Sequence, residues 1–234
     1  MASDRDSDGR GHGAARGNAT SGAPIVGVLA LQGDFAEHGK ALERLGITPR
    51  LVRTAPALAG LDGLVLPGGE SSTMLRLLRV EGLYEPLGRA LRSGIPVLAT
   101  CAGMILLAER VEPEQPSYGL LPLHVVRNGY GRQVHSGTFA LESDALPPNT
   151  AGTFIRAPRV LAVTDPACEV LARRDGDPVL VQHGAILAAA FHPELSPEHP
   201  VTRRFAEQVR AARSRVRPGR IGTPAKACNV TEAR

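Results

Sequence analysis

Ile95-Pro96-Val97-Leu98-Ala99-Thr100-Cys101-Ala102-Gly103-Met104-Ile105-Leu106-Leu107-Ala108-Glu109 is the stretch on which the fold turns. Its first part is a short apolar run of the kind a buried parallel strand makes. An apolar segment long enough for a helix follows Cys101. A strand that turns sharply into a helix at a potential nucleophile, with only small residues beside it, has the form of a nucleophile elbow. Such an elbow sets the Cys101 sulfur at a helix N-terminus, where peptide dipoles and free N–H groups favour thiolate over thiol. Taken alone, the same letters also fit a buried structural cysteine, since free Cys is among the most buried residue types.

The flanking sequence supplies the sheet. Residues 25–31 (IVGVLAL) predict a buried strand, residues 35–45 a helix stopped by Gly46, residues 49–53 a second strand and residues 61–66 a third, closed by Pro67-Gly68-Gly69. Helices are expected over 71–80 and 83–92. Strands alternating with helices at these intervals imply right-handed βαβ units and an α/β fold with a mostly parallel sheet, helices on both faces, and sites at the carboxyl ends of the strands. From about Tyr118 the pattern changes to short strand-like runs at 123–127, 138–141, 153–155, 160–163, 170–173, 179–182 and 186–191, which predict a mixed or antiparallel extension of that sheet. Residues 197–213 predict a last helix. One domain is therefore expected over 24–213. The Gly-, Ser-, Asp- and Arg-rich residues 1–23 and the basic residues 214–234 are expected to be tails, too poor in apolar surface to offset the entropy of ordering.

Composition narrows the function classes. The chain has 234 residues, a formal net charge of +4 and 3% aromatic residues. A basic stripe interleaved with aromatics is missing, which argues against nucleic acid. Cys101, Cys168 and Cys228 are odd in number and lack metal-ligand spacing, which points to a reducing compartment with neither a disulfide framework nor a metal site. No charge-free apolar run approaches ~18 residues and the N-terminus lacks a secretory core, so a cytoplasmic protein with no membrane segment is expected.

Two further stretches carry chemistry. Phe191-His192-Pro193-Glu194 follows an apolar strand. A histidine near a thiol can take its proton and later give one to a leaving amine. A carboxylate two residues on can fix the ring's tautomer. Pro67-Gly68-Gly69-Glu70-Ser71-Ser72 is a glycine turn after a strand, able to aim backbone N–H groups at a developing oxyanion, with the Ala102 N–H as a second donor. It is neither a phosphate-binding Lys-Ser/Thr loop nor a serine elbow. His38, His124, His135 and His183 are read as structural, with His38 a candidate for an interface, and Cys168 as inert.

The order of these motifs resembles the triad-type (class I) glutamine amidotransferases. Further stretches are similar to one branch, the glutaminase subunits of the pyridoxal phosphate synthase complex: Leu29-Ala30-Leu31-Gln32-Gly33-Asp34 with Glu37-His38, Leu66-Pro67-Gly68-Gly69-Glu70-Ser71-Ser72-Thr73-Met74, Arg127-Asn128-Gly129-Tyr130-Gly131-Arg132-Gln133, Phe154-Ile155-Arg156-Ala157-Pro158 and Phe191-His192-Pro193-Glu194-Leu195. The resemblance covers residues 25–213. Ala99 departs from it, standing where the wider class often has Gly. What it implies is a cytosolic enzyme that hydrolyses L-glutamine to glutamate and ammonia and passes the ammonia to a synthase subunit making pyridoxal 5′-phosphate, being poorly active until docked there. It implies a Cys101, His192, Glu194 triad, an oxyanion site at Gly69 and Ala102, a glutamine site of Gly69, Glu70, Ser71, Arg127, Ile155 and Arg156, and no cofactor. Rival readings are an amidotransferase feeding another synthase, a module that binds without turnover, and a different Cys-His hydrolase.

Overall fold

The computed structural model describes residues 22–131 and 136–216. Of the tails expected at 1–23 and 214–234, residues 1–21 and 217–234 lie outside the described residues, as do Arg132, Gln133 and His135.

Seven strands form the central sheet: β1 (Ile25–Leu29), β2 (Thr48–Val52), β3 (Gly63–Leu66), β4 (Val97–Thr100), then, after five strands that lie elsewhere, β10 (Glu169–Arg174), β11 (Asp177–His183) and β12 (Ile186–Ala189). Their order is β10-β11-β12-β4-β3-β1-β2. The five from β12 to β2 are parallel, whereas β11 and β10 add an antiparallel edge. Every residue of β3, β4 and β12 is buried, as a parallel sheet covered on both faces requires. The helices are α1 (Phe35–Arg44), α2 (Ser71–Val80), α3 (Tyr84–Arg92), α4 (Ala102–Leu107) and α5 (Pro200–Val216). β1 connects outward to β2 through α1, whereas β3 connects the other way to β4 through α2 and α3. With right-handed crossovers these two connections lie on opposite faces. Accordingly, α1 packs with α5, and α2 with α3 and α4.

The expected elements are present, with three differences. The second half of the chain does more than extend the sheet. β5 (Ala108–Glu112), β6 (Leu121–Val126) and β9 (Arg159–Val163) make a separate three-stranded sheet, and β7 (Gly137–Ala140) pairs with β8 (Ala151–Phe154) in a two-stranded one. The helix after the elbow is only six residues long, because Ala108 turns to extended backbone and opens β5, whose ladder partner is β6. The last helix starts at Pro200 and runs to Val216, so residues 214–216, expected in the tail, are helical.

α2 shows how local sequence sets an element. The Glu70 carboxylate caps its first turn, accepting from the Ser72 and Thr73 N–H groups at 3.4 and 2.7 Å. Met74, Leu75 and Leu78 then form the buried stripe. α4 depends on close approach instead. A Cβ on Gly103 would lie 2.2 Å from the Leu66 carbonyl oxygen and 2.9 Å from the Leu66 Cβ, so only glycine lets this helix sit on β3. Gly103→Ala is therefore expected to cost about 1–3 kcal/mol of stability, as overpacking does, and urea unfolding measures it.

Candidate active site

β4 and β12 are adjacent and parallel, with Thr100 opposite Ala189. The chain leaves both strands at the same edge, at Cys101 and at Phe191-His192. This adjacency brings a thiol and an imidazole about ninety residues apart to one place. Cys101 has φ 47° and ψ −103°, a backbone that L side chains rarely adopt. Its N–H donates to the Ala189 carbonyl at 2.8 Å, which ties the turn to β12. Its Sγ lies 3.8 Å from the Ile155 carbonyl oxygen.

Behind the ring, His192 Nδ1–H donates to Glu194 Oε1 at 2.7 Å, both residues being buried. That bond places the other ring nitrogen, Nε2, as the one free to exchange a proton. Burial works against a charge on this ring, but the Cys101 thiol and the Glu194 carboxylate outweigh it and push the His192 pKa up to about 10. Burial also disfavours a charged Glu194, yet His38 and His192 hold its carboxyl below the usual range. The ring thus stands between the Cys101 thiol and the Glu194 carboxylate. Asp34 Oδ2 lies 3.8 Å from His192 Nδ1 on the solvent side. Asp34, His192 and Glu194 offer polar atoms within 4.8 Å of one another.

The glycine turn closes over the ring. A Cβ on Gly68 would meet His192 Cε1 at 2.3 Å. Gly69 has φ 140°, and a Cβ there would strike Gln32 Nε2 at 1.8 Å, so both its conformation and its packing demand glycine.

A cleft of about 250 Å³ opens at this edge. Cys101 and His192 line it, together with Gly69, Glu70, Ser71, Arg127, Ile155 and Arg156. Glu194 and Ala102 sit behind it, buried. The polar lining is already organised. Arg127 Nη2 donates to Glu70 Oε1 at 2.6 Å, and the Ser71 hydroxyl donates to Gln115 Oε1 at 3.1 Å. Burial would raise the Glu70 pKa, but the hydrogen bonds from Ser72 and Thr73 bring it down to about 2. Arg156 has φ 45° and its N–H donates to the Ser136 hydroxyl. A wider groove of about 610 Å³ between α5 and the start of β4 holds neither thiol nor imidazole.

Sequence reasoning did not single out Asp34, Ile105 or Asn128, which also line the cleft. His38, read as structural with an interface as the alternative, is fully buried, with Nε2 3.3 Å from Glu194 Oε2, and lies against the site. Its sequence signals were the resemblance of Glu37-His38 and the four-residue spacing from Asp34. His124 does have a carboxylate partner, Glu112 at 2.7 Å, but lies away from the cleft.

A solved glutamine amidotransferase has this fold, with a TM-score of 0.73 and 45% identity over 79% of this chain and 98% of its own. A chain of the PurLQS structure from Thermotoga maritima shares the fold at 19% identity and a TM-score of 0.57. The class is thus that of the glutamine amidotransferases. More narrowly, the chain belongs to the SNO glutamine amidotransferase family, whose model matches residues 28–211. Pyridoxal 5′-phosphate synthase subunit PdxT of Frankia casuarinae is 51% identical over 82% of this chain and 98% of that protein. The subunit of the same name from Thermotoga maritima is 46% identical over 79% and 99%. Among the described residues, no helix is long and apolar enough to cross a membrane.

Three variants test the electrostatics. His192→Ala should slow carboxymethylation of Cys101 by iodoacetate at pH 7 by about tenfold or more, because the sulfur loses the neighbouring imidazole that can take its proton. Gly68→Ala, which displaces the ring, should act in the same direction. Glu70→Ala should cost about 1 kcal/mol at pH 7 through the lost cap. Since the folded Glu70 pKa lies below its ordinary 4.5, its contribution is present above pH 4.5 and lost as the pH falls towards about 2. The gap between variant and wild type in urea unfolding should therefore narrow below pH 4.5.

Proposed function

We propose that this chain is a glutaminase, hydrolysing L-glutamine to L-glutamate and ammonia with Cys101 as nucleophile, and that it supplies the ammonia to a pyridoxal 5′-phosphate synthase subunit. One observation carries the chemistry: Cys101 and a carboxylate-oriented His192 face a single small cleft with polar, charged walls. The partner assignment rests on the names of the similar subunits.

The Cys101 thiolate attacks the side-chain carboxamide carbon, and the C=O electron pair moves onto oxygen. The N–H groups of Gly69 and Ala102 receive this oxyanion, each good donor being worth roughly 3 kcal/mol. Collapse breaks the C–N bond as protonated His192 gives its proton to the departing nitrogen, which leaves as ammonia. A thioester on Cys101 remains. Neutral His192 then takes a proton from water, whose oxygen attacks the thioester. The second collapse returns the thiolate, the ring keeps the proton, and glutamate departs. Glu194 holds the ring's Nδ1–H throughout. Arg127 and Arg156 suit the substrate's α-carboxylate, and the ionised Glu70 its α-ammonium, as charge-assisted contacts. Ser71 and Ile155 complete the wall.

The test is ammonia release from glutamine, with and without the synthase subunit. Cys101→Ala should abolish it in the complex, and unchanged turnover would remove the assignment. Arg127→Ala should raise KM by about tenfold or more, as loss of a hydrogen bond between charged groups does.

A further inference from the structure

We propose that His38 is a positioning residue for the reaction, pinning the second carboxylate oxygen of Glu194 and closing a ring of contacts from Cys101 through His192, Glu194 and His38 to Thr100. The proposal rests on the hydrolytic reading of the site.

His38 lies in the second turn of α1 and is fully buried, as is Thr100. Its Nε2 is 3.1 Å from Thr100 Oγ1 and 3.3 Å from Glu194 Oε2. Glu194 Oε1 is committed to His192. Glu194 Oε2 has no partner of full hydrogen-bond geometry, so the His38 edge is the polar group set against it. The tautomer follows. His38 Nδ1 is buried without a partner. A proton there would orphan a buried N–H and turn a lone pair on Nε2 towards a carboxylate. A proton on Nε2 avoids both costs, and an orphaned buried donor alone costs about 1–3 kcal/mol. The Nε2–H therefore points between the threonine hydroxyl and Glu194.

This contact has a definite mechanical role. A carboxylate held by one oxygen can swing about its last torsion and release the imidazole. Held at both, it fixes the ring. Thr100 ends β4 immediately before Cys101, whereas Glu194 follows β12. The imidazole of His38 thus locks the orienting carboxylate to the strand that carries the sulfur. Burial keeps the His38 pKa below the ordinary value despite the pull of Glu194.

The experiment compares His38→Leu, which fills space without a donor, with His38→Gln, which returns an N–H near the Nε2 position. Both are assayed on L-glutamine with the synthase subunit bound, and thermal unfolding checks the fold. His38→Leu should lose about 10–100-fold in kcat, the usual effect of removing an outer partner of a site, with KM nearly unchanged. His38→Gln should recover most of the loss. Wild-type turnover by His38→Leu, an equal loss in both variants, or a loss carried by KM would overturn the proposal. Should His38→Leu not fold, Thr100→Val against Thr100→Ser reads the same ring from its other end, and equal kcat in that pair overturns it. Wild-type complex that releases no ammonia would defeat the hydrolytic reading instead. The carboxymethylation rate of Cys101 then judges His38, with His38→Leu slower than His38→Gln expected and equal rates overturning the ring.

Discussion

The site depends on a single backbone turn. Cys101 holds a conformation that costs an L residue of order 1–3 kcal/mol, and the surrounding structure must over-determine it. Three contacts do so. The Cys101 N–H is tied to β12, β4 is fully buried between β3 and β12, and Gly103 lets α4 press onto the Leu66 backbone. Relaxing the turn would carry the sulfur away from the imidazole. The sheet around it is thus a clamp as well as a scaffold.

Electrostatics impose the second constraint. Glu194 and His192 are both almost wholly removed from water. An isolated buried charge is too expensive to keep, so each must be matched by the other. The mutual pKa shifts follow from this matching: the ring's pKa is raised and the carboxylate's is lowered despite burial. At the rim, the Glu70–Arg127 pair applies the same logic in partial solvent, and Glu70 serves at the same time as the cap of α2. One side chain joins a helix terminus to the wall of the cleft.

Much of this was legible in the letters. The buried strands, α2 and the elbow read correctly because each carries its own local signal: an apolar run, a periodic stripe, a cysteine among small residues. The candidate residues that line the cleft came from motif resemblance, since nothing in the spacing of Arg127 or Arg156 distinguishes them from surface arginines. The apolar run after Cys101 predicts a longer helix than exists because Leu107-Ala108 continues the hydrophobic pattern smoothly into β5. The split into two small extra sheets was invisible because strand pairing is decided by partners far along the chain. The place of His38 against Glu194 was not legible for the same reason: an imidazole on an amphipathic helix carries no mark of the carboxylate it will meet some 150 residues later.

The strand order has a consequence for biogenesis. Cys101 and His192 follow neighbouring strands, yet β10, β11 and both small sheets are interposed between them in the chain. Closing so long a segment is slow relative to local folding, although each doubling of its length adds only about 0.6 kcal/mol of entropy. A nascent polypeptide still on the ribosome can build β1 to β4 and present the sulfur, but without the imidazole that stands beside it in the folded chain. The two side chains can meet only after β12 has been made, so a half-made copy carries the sulfur alone.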